Sequence, residues 1–327
     1  MIFNRKNGRK KFFDIFLQIA VTFSIPAVLT FCKYEKRRFD FMKPFTILTD
    51  SSADLTAEMK SELGIKIVPL TVQIDGEKPI SNEELDIRYF YDCMKEGKRA
   101  KTAAVNPAVA TEVMENEVLA GNDVLFLSFS SNLSSTYNIS AIAAQDLSEK
   151  YPESKIIVVD TLCESFGLAL LVNLCVEQAR EGKTIEEVAQ FAEETKGNIA
   201  HWFTVDDLNH LRRGGRVSAA KAVVGTMLGI KPVLHMSDDG KLVPMFNARG
   251  RKASMKMLVD KTIENARDFE NQTIFINHSD SIEDAEKLKE MILEAGAKDV
   301  RMGEIGPVVG AHCGRGTLAV YSICETR

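Results

Sequence analysis

The sequence has few cysteines, and they form no pattern that would bind a metal or build a disulfide framework. Its 327 residues include six Cys, with no C-x-x-C pair and no zinc-site spacing. Small secreted domains that depend on disulfides carry a higher proportion of Cys. The sequence therefore predicts reduced thiols in a cytoplasmic protein that needs no metal ion or cofactor.

A general excess of positive charge is absent as well. Residues 1–42 hold nine of the 41 Lys and Arg but only three of the 46 Asp and Glu, which gives this segment a net charge of +6. Residues 43–327 hold the other 32 basic and 43 acidic side chains, a net charge of −11. Because nucleic-acid binding needs clustered Lys and Arg to contact phosphates, we expect no nucleic-acid partner.

Three enzyme motifs are missing too. The chain has no Walker A loop and no G-x-G-x-x-G, so nucleotide chemistry lacks its usual phosphate cradle. It also has no G-x-S-x-G elbow, the turn that carries the nucleophile in many serine hydrolases. These absences favour a binding protein over an enzyme.

The first 42 residues contain an apolar run from Phe12 to Cys32 between two basic clusters. Its length could just span a bilayer, so a membrane anchor is one interpretation. A signal peptide is less favoured, because the run does not end in a small-residue cleavage site. Met42 stands directly before the first clear strand, which favours a third interpretation. We expect residues 1–42 to lie upstream of the fold and not to be part of it.

From Phe45 onward, short apolar runs alternate with amphipathic stretches, the pattern of α/β folds. We predict two domains: residues 43–180 with a mostly parallel sheet and flanking helices, and residues 181–327 with a mixed α+β arrangement. Strands of the first domain are predicted at Phe45–Thr49, Ile65–Ile74, Val124–Phe129 and Ile156–Val159, and its helices at Thr56–Leu63, Pro107–Leu119 and Thr136–Lys150.

A long helical region at about Ser165–Thr195 is expected to bridge the two domains. In the second domain, Asp238, Asp239 and Gly240 separate two apolar runs and predict an antiparallel hairpin. Its strands are predicted at Lys231–Ser237, Leu242–Asn247, Thr273–His278, Val300–Ile305 and Leu318–Cys324, and its helices at Arg251–Ala266 and Ile282–Ala295, with a further helix beginning near Ser218.

Three polar loops lie next to helix starts in the first domain: Thr49–Asp54, Lys101–Pro107 and Ser130–Tyr137. Ligands bind at the carboxyl ends of parallel strands, where such loops meet. Asp and Ser are also common helix caps, so one loop alone would decide nothing. The third loop has five Ser and Thr hydroxyl groups beside a helix N-terminus, which suits an anionic head group. Together the three loops favour a binding site.

Two further motifs lie in the second domain. Leu211–Arg216 reads L-R-R-G-G-R, in which flexible glycines let the Arg side chains face a phosphate or an acidic partner. An RNA-binding Arg-Gly segment is the alternative, but the motif occurs once in an acidic chain. Gly306–Gly316 places His312 among small residues that permit close backbone approach, so we expect His312 to face a ligand. His278, at a strand end, is a weaker candidate.

A hydrolytic triad is the competing interpretation of these residues. Ser134 or Ser51 would be the nucleophile, His312 the base and Asp50 the residue that orients it. Three hydroxyl-rich loops fit multipoint binding of a head group better than one activated serine. The sequence therefore ranks a serine hydrolase or acyltransferase second, and a regulatory module for another small anion third.

The motifs also occur in the order found in a known family. The chain resembles the DegV family of bacterial fatty-acid-binding proteins from about Lys43 to Cys324. The resemblance is carried by seven segments: T-D-S-S-A-D at Thr49, the Thr102 loop, S-S-N-L-S-S-T-Y at Ser130, V-D-T-L-C-E-S-F-G at Val159, L-R-R-G-G-R at Leu211, I-K-P-V-L at Ile230 and G-A-H-C-G at Gly310.

This resemblance implies a function and roles for individual residues. It implies two α/β domains that hold one long-chain fatty acid and present its carboxylate to a fatty acid kinase for phosphorylation, in phospholipid metabolism. Contact with a membrane would be transient. Thr102, Ser134 and His312 would bind the carboxylate. Further residues are implied as supporting head-group contacts, Ser51, Ser52 and Ser135, and as phosphate or partner contacts, Arg213 and Arg216.

Overall fold

Thirteen strands and ten α-helices occur in the residues that the computed structural model describes, 43–217 and 229–327. The strands are β1 (Phe45–Asp50), β2 (Lys66–Val68), β3 (Thr71–Ile74), β4 (Ile80–Ser81), β5 (Ala100–Ala103), β6 (Asp123–Ser128), β7 (Ile156–Asp160), β8 (Ile199–Thr204), β9 (Ile230–Met236), β10 (Leu242–Arg249), β11 (Thr273–His278), β12 (Asp299–Glu304) and β13 (Leu318–Ile323). The helices are α1 (Ala57–Leu63), α2 (Ile87–Lys95), α3 (Pro107–Leu119), α4 (Thr136–Lys150), α5 (Ser165–Arg180), α6 (Ile185–Thr195), α7 (Asn209–Arg213), α8 (Arg251–Asn265), α9 (Ile282–Glu294) and α10 (Pro307–Cys313).

The first sheet is parallel throughout and has the strand order β2-β1-β6-β7. Every residue of β6 is buried, as expected for a parallel strand covered by helices on both faces. Local sequence sets the helix ends: the side chain of Thr56 accepts a hydrogen bond from the N–H of Met59 to begin α1, and Gly64 ends it with a left-handed φ of 67°. The predicted α/β class is confirmed.

Two predictions for this half of the chain are wrong in detail. The strand predicted at Ile65–Ile74 is divided into β2 and β3, because Pro69 between them has no N–H for a continuous ladder. β3 leaves the parallel sheet and pairs antiparallel with β4 and β5 in a separate three-stranded sheet. Thr102, predicted in a loop, therefore lies on β5, opposite Val72.

The second sheet is mixed and has the order β10-β9-β8-β13-β11-β12. All neighbouring pairs are antiparallel except β11 and β12. The predicted hairpin is confirmed by the antiparallel pairing of β9 with β10. β8 was not predicted, although it is a fully buried strand between β9 and β13.

The helical region predicted at Ser165–Thr195 is two helices, since Gly182 adopts a φ of 88° between α5 and α6. α5 buries ten residues and contacts strands of both large sheets. Its Phe166 meets Phe275 of β11 edge-on at 5.9 Å between ring centroids. Residues 44–327 form one compact unit, and the division at residue 180 stays a prediction.

Two predicted segments lie outside the described residues: the apolar run at 12–32 and the helix expected near Ser218. Across residues 43–217 and 229–327, none of the helices has the length and apolar character needed to cross a membrane. In the same ranges all five cysteines are free and buried: Cys93, Cys163, Cys175, Cys313 and Cys324.

Candidate functional site

A cavity of about 250 Å³ lies between β5, α10, the loop after β6 and the strands β8, β10 and β13. Most of its wall is apolar, with contributions from Phe129, Leu133, Phe203, Leu242 and Val308 among others. Its polar or ionisable lining residues are Thr102, Ser134, Ser135, Glu164, Arg216, His312, Cys313, Thr317 and Tyr321. Such a combination of apolar walls with a few convergent polar groups is typical of small-molecule sites.

Thr102 and His312 meet in this cavity from positions 210 residues apart. Thr102 Oγ1 lies 2.8 Å from His312 Nε2, and both side chains are half-buried. β5 supplies the threonine, and α10, which starts at Pro307, supplies the histidine. The glycine-rich segment Gly306–Gly316 is thus a short helix, Pro307–Cys313, followed by a turn. His312 lines the cavity, and its contact with a ligand stays a prediction.

Gly214 explains how His312 fits. A Cβ atom at Gly214 would lie 2.3 Å from His312 Nδ1, so no larger residue fits there without movement of the imidazole. The L-R-R-G-G-R motif was interpreted as a flexible loop for its arginines. Its first glycine instead provides close contact with the ring of His312.

His312 is neutral near pH 7. Burial lowers its pKa to about 4, and the nearby positive charge of Arg216 acts in the same direction. Arg216 lines the same cavity, and its guanidinium donates to the carbonyls of Leu133 (3.1 Å) and Gly214. A half-buried cation beside a neutral histidine suits an anionic head group.

Ser134 and Ser135 also line the cavity, from the loop between β6 and α4. Ser134 Oγ lies 2.8 Å from Thr136 Oγ1 and accepts a hydrogen bond from the Thr136 N–H at 3.2 Å. The same loop is tied to the β9–β10 hairpin, because Ser130 Oγ donates to the carbonyl of Gly240 at 2.9 Å. Residues from both halves of the chain therefore fix the position of these hydroxyls.

Three other predicted site residues lie outside the cavity lining. Ser51 Oγ accepts from the N–H of Leu70 at 2.9 Å, and Ser52 Oγ donates to the Asp50 carboxylate. Both serines are buried and bonded within the protein. Arg213 is exposed and lies 3.1 Å from His210 Nδ1. The structure separates Arg216, in the cavity, from Arg213, on the surface.

The hydrolytic triad, the competing interpretation of the sequence, is not assembled by these contacts. His312 Nε2 pairs with Thr102, and Ser134 Oγ pairs with Thr136. Asp50 is fully buried, accepts from Ser52 and from the N–H of Phe129, and does not line the cavity. The geometry favours a cluster of hydrogen-bonding groups over a nucleophile and its base.

Sequence reasoning missed Glu164, which lines the cavity although only 7% of its surface is exposed. Burial raises its pKa to about 7, and a hydrogen bond from Tyr321 OH to Oε1 at 3.2 Å opposes the rise. The only sequence signal that could have identified Glu164 is its position in V-D-T-L-C-E-S-F-G, where an acidic residue stands at the start of an apolar helix.

Behind Glu164 lies a chain of buried polar side chains, which we call the inner network: Tyr321, Asn277, Ser165 and Asp54. Tyr321 OH lies 3.2 Å from Asn277 Oδ1, Asn277 Nδ2 donates to Ser165 Oγ at 2.6 Å, and Ser165 Oγ donates to Asp54. Burial raises the pKa of Asp54 well above its ordinary value, and the nearby Glu164 charge adds to this. The network joins α5 to the second sheet.

Within residues 43–217 and 229–327 no three His, Cys, Asp or Glu side chains are grouped so that they could hold an ion.

Comparison with known proteins places the chain and its fold in a family. The DegV family model, described as "Uncharacterised protein, DegV family", matches residues 44–325. A DegV domain-containing protein of Clostridium perfringens is 44% identical over 289 residues, which cover 88% of this chain and 99% of the relative.

Two solved structures are similar as well. A DegV family protein from Thermus thermophilus, described for its fatty acid binding, is 28% identical with a TM-score of 0.79, and the match covers 86% of this chain and all of the other. A fatty-acid-binding DegV family protein from Streptococcus agalactiae is 27% identical with a TM-score of 0.76, covering 87% and 100%.

Proposed function

Because the chain belongs to the DegV family, we propose that it binds one long-chain fatty acid in this cavity and carries it in the cytoplasm. The observation that carries the proposal is a polar cluster in an otherwise largely apolar cavity: the half-buried Thr102, Ser134, Arg216 and His312, with the more exposed Ser135 beside them. The polar cluster matches a carboxylate, and the apolar wall matches a hydrocarbon chain. Fatty acid binding by the similar Thermus and Streptococcus proteins supports this assignment.

The head group would be held by neutral donors together with one cation. Thr102 can donate its hydroxyl proton to the carboxylate if His312 carries its own proton on Nε2 and donates it to Thr102 Oγ1. The neutral state of His312 is compatible with this tautomer. Ser134 supplies a second hydroxyl, and Arg216 a positive charge. A buried carboxylate needs several such donors to offset its lost hydration.

The hydrocarbon chain would supply most of the affinity. Burial of each methylene contributes about 0.8 kcal/mol, so a chain of about sixteen carbons can be held firmly without a charged partner deep in the cavity. The wall residues Phe129, Leu133, Phe203 and Leu242 offer apolar surface for this contact.

We further propose that the protein presents the carboxylate to a fatty acid kinase for phosphorylation, and does not itself catalyse a reaction. Arg213 is exposed near the loop that carries Arg216, and it is our candidate contact for the kinase or the phosphorylated product. Any contact with a membrane would be transient, during loading or release of the lipid.

The test is to purify the full chain, extract it with organic solvent and identify co-purifying lipids by mass spectrometry. Binding of added hexadecanoic acid to the delipidated protein is then measured by calorimetry. We expect a bound fatty acid and a 1:1 stoichiometry. Absence of both lipid and binding would overturn the carrier assignment.

Ester hydrolysis provides the test of the competing function. The carrier assignment predicts no turnover of fatty acyl esters by the purified protein. Turnover that disappears in Ser134→Ala would establish the hydrolase instead.

A further inference from the structure

Glu164 is an unusual residue for the wall of a hydrocarbon cavity. Its carboxyl group is buried, lies next to apolar lining residues and accepts one hydrogen bond, from Tyr321 OH to Oε1. Within residues 43–217 and 229–327, which the structure describes, no group donates a hydrogen bond to the second carboxyl oxygen of Glu164, Oε2. An unsubstituted acyl chain packed against this oxygen would leave a polar atom without a partner.

The backbone around Glu164 holds the side chain in place at some cost. Leu162 and Ser165 both adopt left-handed conformations, with φ of 51° and 48°, although neither is glycine. Such conformations persist where surrounding contacts enforce them, and they are concentrated at functional sites. Here Ser165 is held by its bonds to Asp54 and Asn277, and the N–H of Glu164 lies 3.5 Å from His201 Nε2.

Glu164 is also more deeply buried than the head-group cluster. Thr102, Ser134 and His312 are half-buried, whereas Glu164 is buried with the inner network behind it. A carboxylate bound by Thr102 and His312 would direct its hydrocarbon chain toward the buried part of the cavity. Glu164 would then contact the acyl chain at a position away from the head group.

We propose that Glu164 is a specificity-determining residue, whose free carboxyl oxygen accepts a hydrogen bond from a hydroxyl group on the acyl chain. The inference rests on the proposed fatty-acid binding and names its ligand class: hydroxylated long-chain fatty acids. A hydroxyl at the matching carbon satisfies Oε2, and Tyr321 OH continues to satisfy Oε1. An unsubstituted chain of equal length gains the same burial but leaves Oε2 unpaired.

The experiment compares ligands that differ only in this hydroxyl. Dissociation constants of the delipidated full chain are measured at pH 8 for octadecanoic acid and for its 10-hydroxy, 12-hydroxy and 18-hydroxy derivatives. A hydrogen bond to a charged acceptor contributes enough for about a tenfold or greater preference. We expect at least one hydroxy acid to bind that much more tightly than octadecanoic acid.

Two substitutions assign the preference to Glu164. Glu164→Leu should abolish it and strengthen binding of octadecanoic acid, because the unpaired acceptor is gone. The nearly isosteric Glu164→Gln, which preserves packing if the leucine variant folds poorly, should reduce the preference several-fold. Glu117→Gln is the matched control: Glu117 is a partly buried glutamate of α3, bonded to Thr46 and Asn122, outside the cavity. It should keep the preference.

The outcomes separate this inference from the proposed function. Equal affinity for all four acids in the wild-type protein, or a preference that persists in both Glu164 variants, would overturn the role of Glu164 and leave fatty-acid binding intact. No binding of any of the four acids would overturn both.

Discussion

The cavity has two polar regions that differ in burial and in the way their groups are satisfied. The outer region, Thr102, Ser134 and His312, is half-buried, and its groups form isolated hydrogen bonds: Thr102 pairs with His312, and Ser134 pairs with Thr136. The inner region, Glu164 with its network, is almost fully buried and linked across α5 and two strands of the second sheet. Half-exposed groups can exchange partners with water or ligand, whereas buried groups depend on each other. The outer region is therefore suited to ligand exchange, and the inner region to structure and discrimination.

The largest expected difference comes from the same substitution made in each region. Ser165→Ala removes the partner of both Asp54 and Asn277 inside the protein, so the free energy of unfolding should fall by about 4 kcal/mol. Ser134→Ala removes a half-buried hydroxyl and should cost less than about 1 kcal/mol. Urea denaturation of both variants measures the contrast. Equal losses would show that the two regions do not differ in this way.

The pH dependence of stability provides the next test, through Glu164. Burial raises its pKa to about 7 in the folded protein, against roughly 4.3 for an unfolded chain. Between these values the carboxyl group of Glu164 binds more protons in the folded state, so its contribution to stability is highest below about pH 4 and falls as pH rises to about 7. The unfolding free energy of the wild type relative to Glu164→Gln should therefore drop by about 3 kcal/mol over that interval.

Comparison with the glutamine variant cancels most contributions from the other titrating groups, of which Asp54, Tyr321 and His201 are close to Glu164. A wild-type minus variant difference that stays constant from pH 4 to pH 8 would contradict the raised pKa.

In the outer region, substitution should change affinity more than stability. Thr102→Val keeps the shape of the side chain but loses the hydroxyl that faces His312, so hexadecanoic acid should bind about tenfold more weakly. Thr102→Ser keeps the hydroxyl and should bind nearly as the wild type does. Calorimetry on the delipidated proteins measures both. Unchanged affinity in the valine variant would exclude Thr102 from the head-group site.

The smallest expected effect concerns the packing of His312. In Gly214→Ala the new methyl group would lie 2.3 Å from Nδ1, so the ring must shift, and affinity should fall several-fold. Gly197→Ala is the control, because its Cβ would meet nothing within 4 Å. Equal affinities of the two variants would show that His312 can move without consequence for binding.

Much of the secondary structure could be predicted because it depends on local sequence. α3 and α4 have the predicted bounds, since Pro107 begins one and a hydroxyl-rich turn the other. β5 and α10 were not recognised, because a four-residue strand and a helix of small residues have no distinctive periodicity. β8 was missed because its residues follow a long helical pattern without a clear break.

The site residues also fall into those that the sequence could identify and those that only the packed structure could. Thr102, Ser134 and His312 could be singled out by residue type and by order along the chain, and the structure places all three in one cavity. Ser51 and Ser52 share that chemistry but are bonded internally, which depends on the path of the chain after β1. Glu164 could not be distinguished from an ordinary helix-start acidic residue, because its burial depends on strands more than thirty residues away.

The sequence by itself determined the α/β class, the ends of α3 and α4, the net charge of −11 outside residues 1–42 and the family. These properties arise from local propensity, composition and motif order. Only the tertiary structure decided that Arg216 faces the cavity while Arg213 faces solvent, and that a carboxyl group lies in the hydrocarbon wall. Burial and hydrogen-bond partners are contributed by residues far apart in the chain, so they exist only once the sheets have packed together.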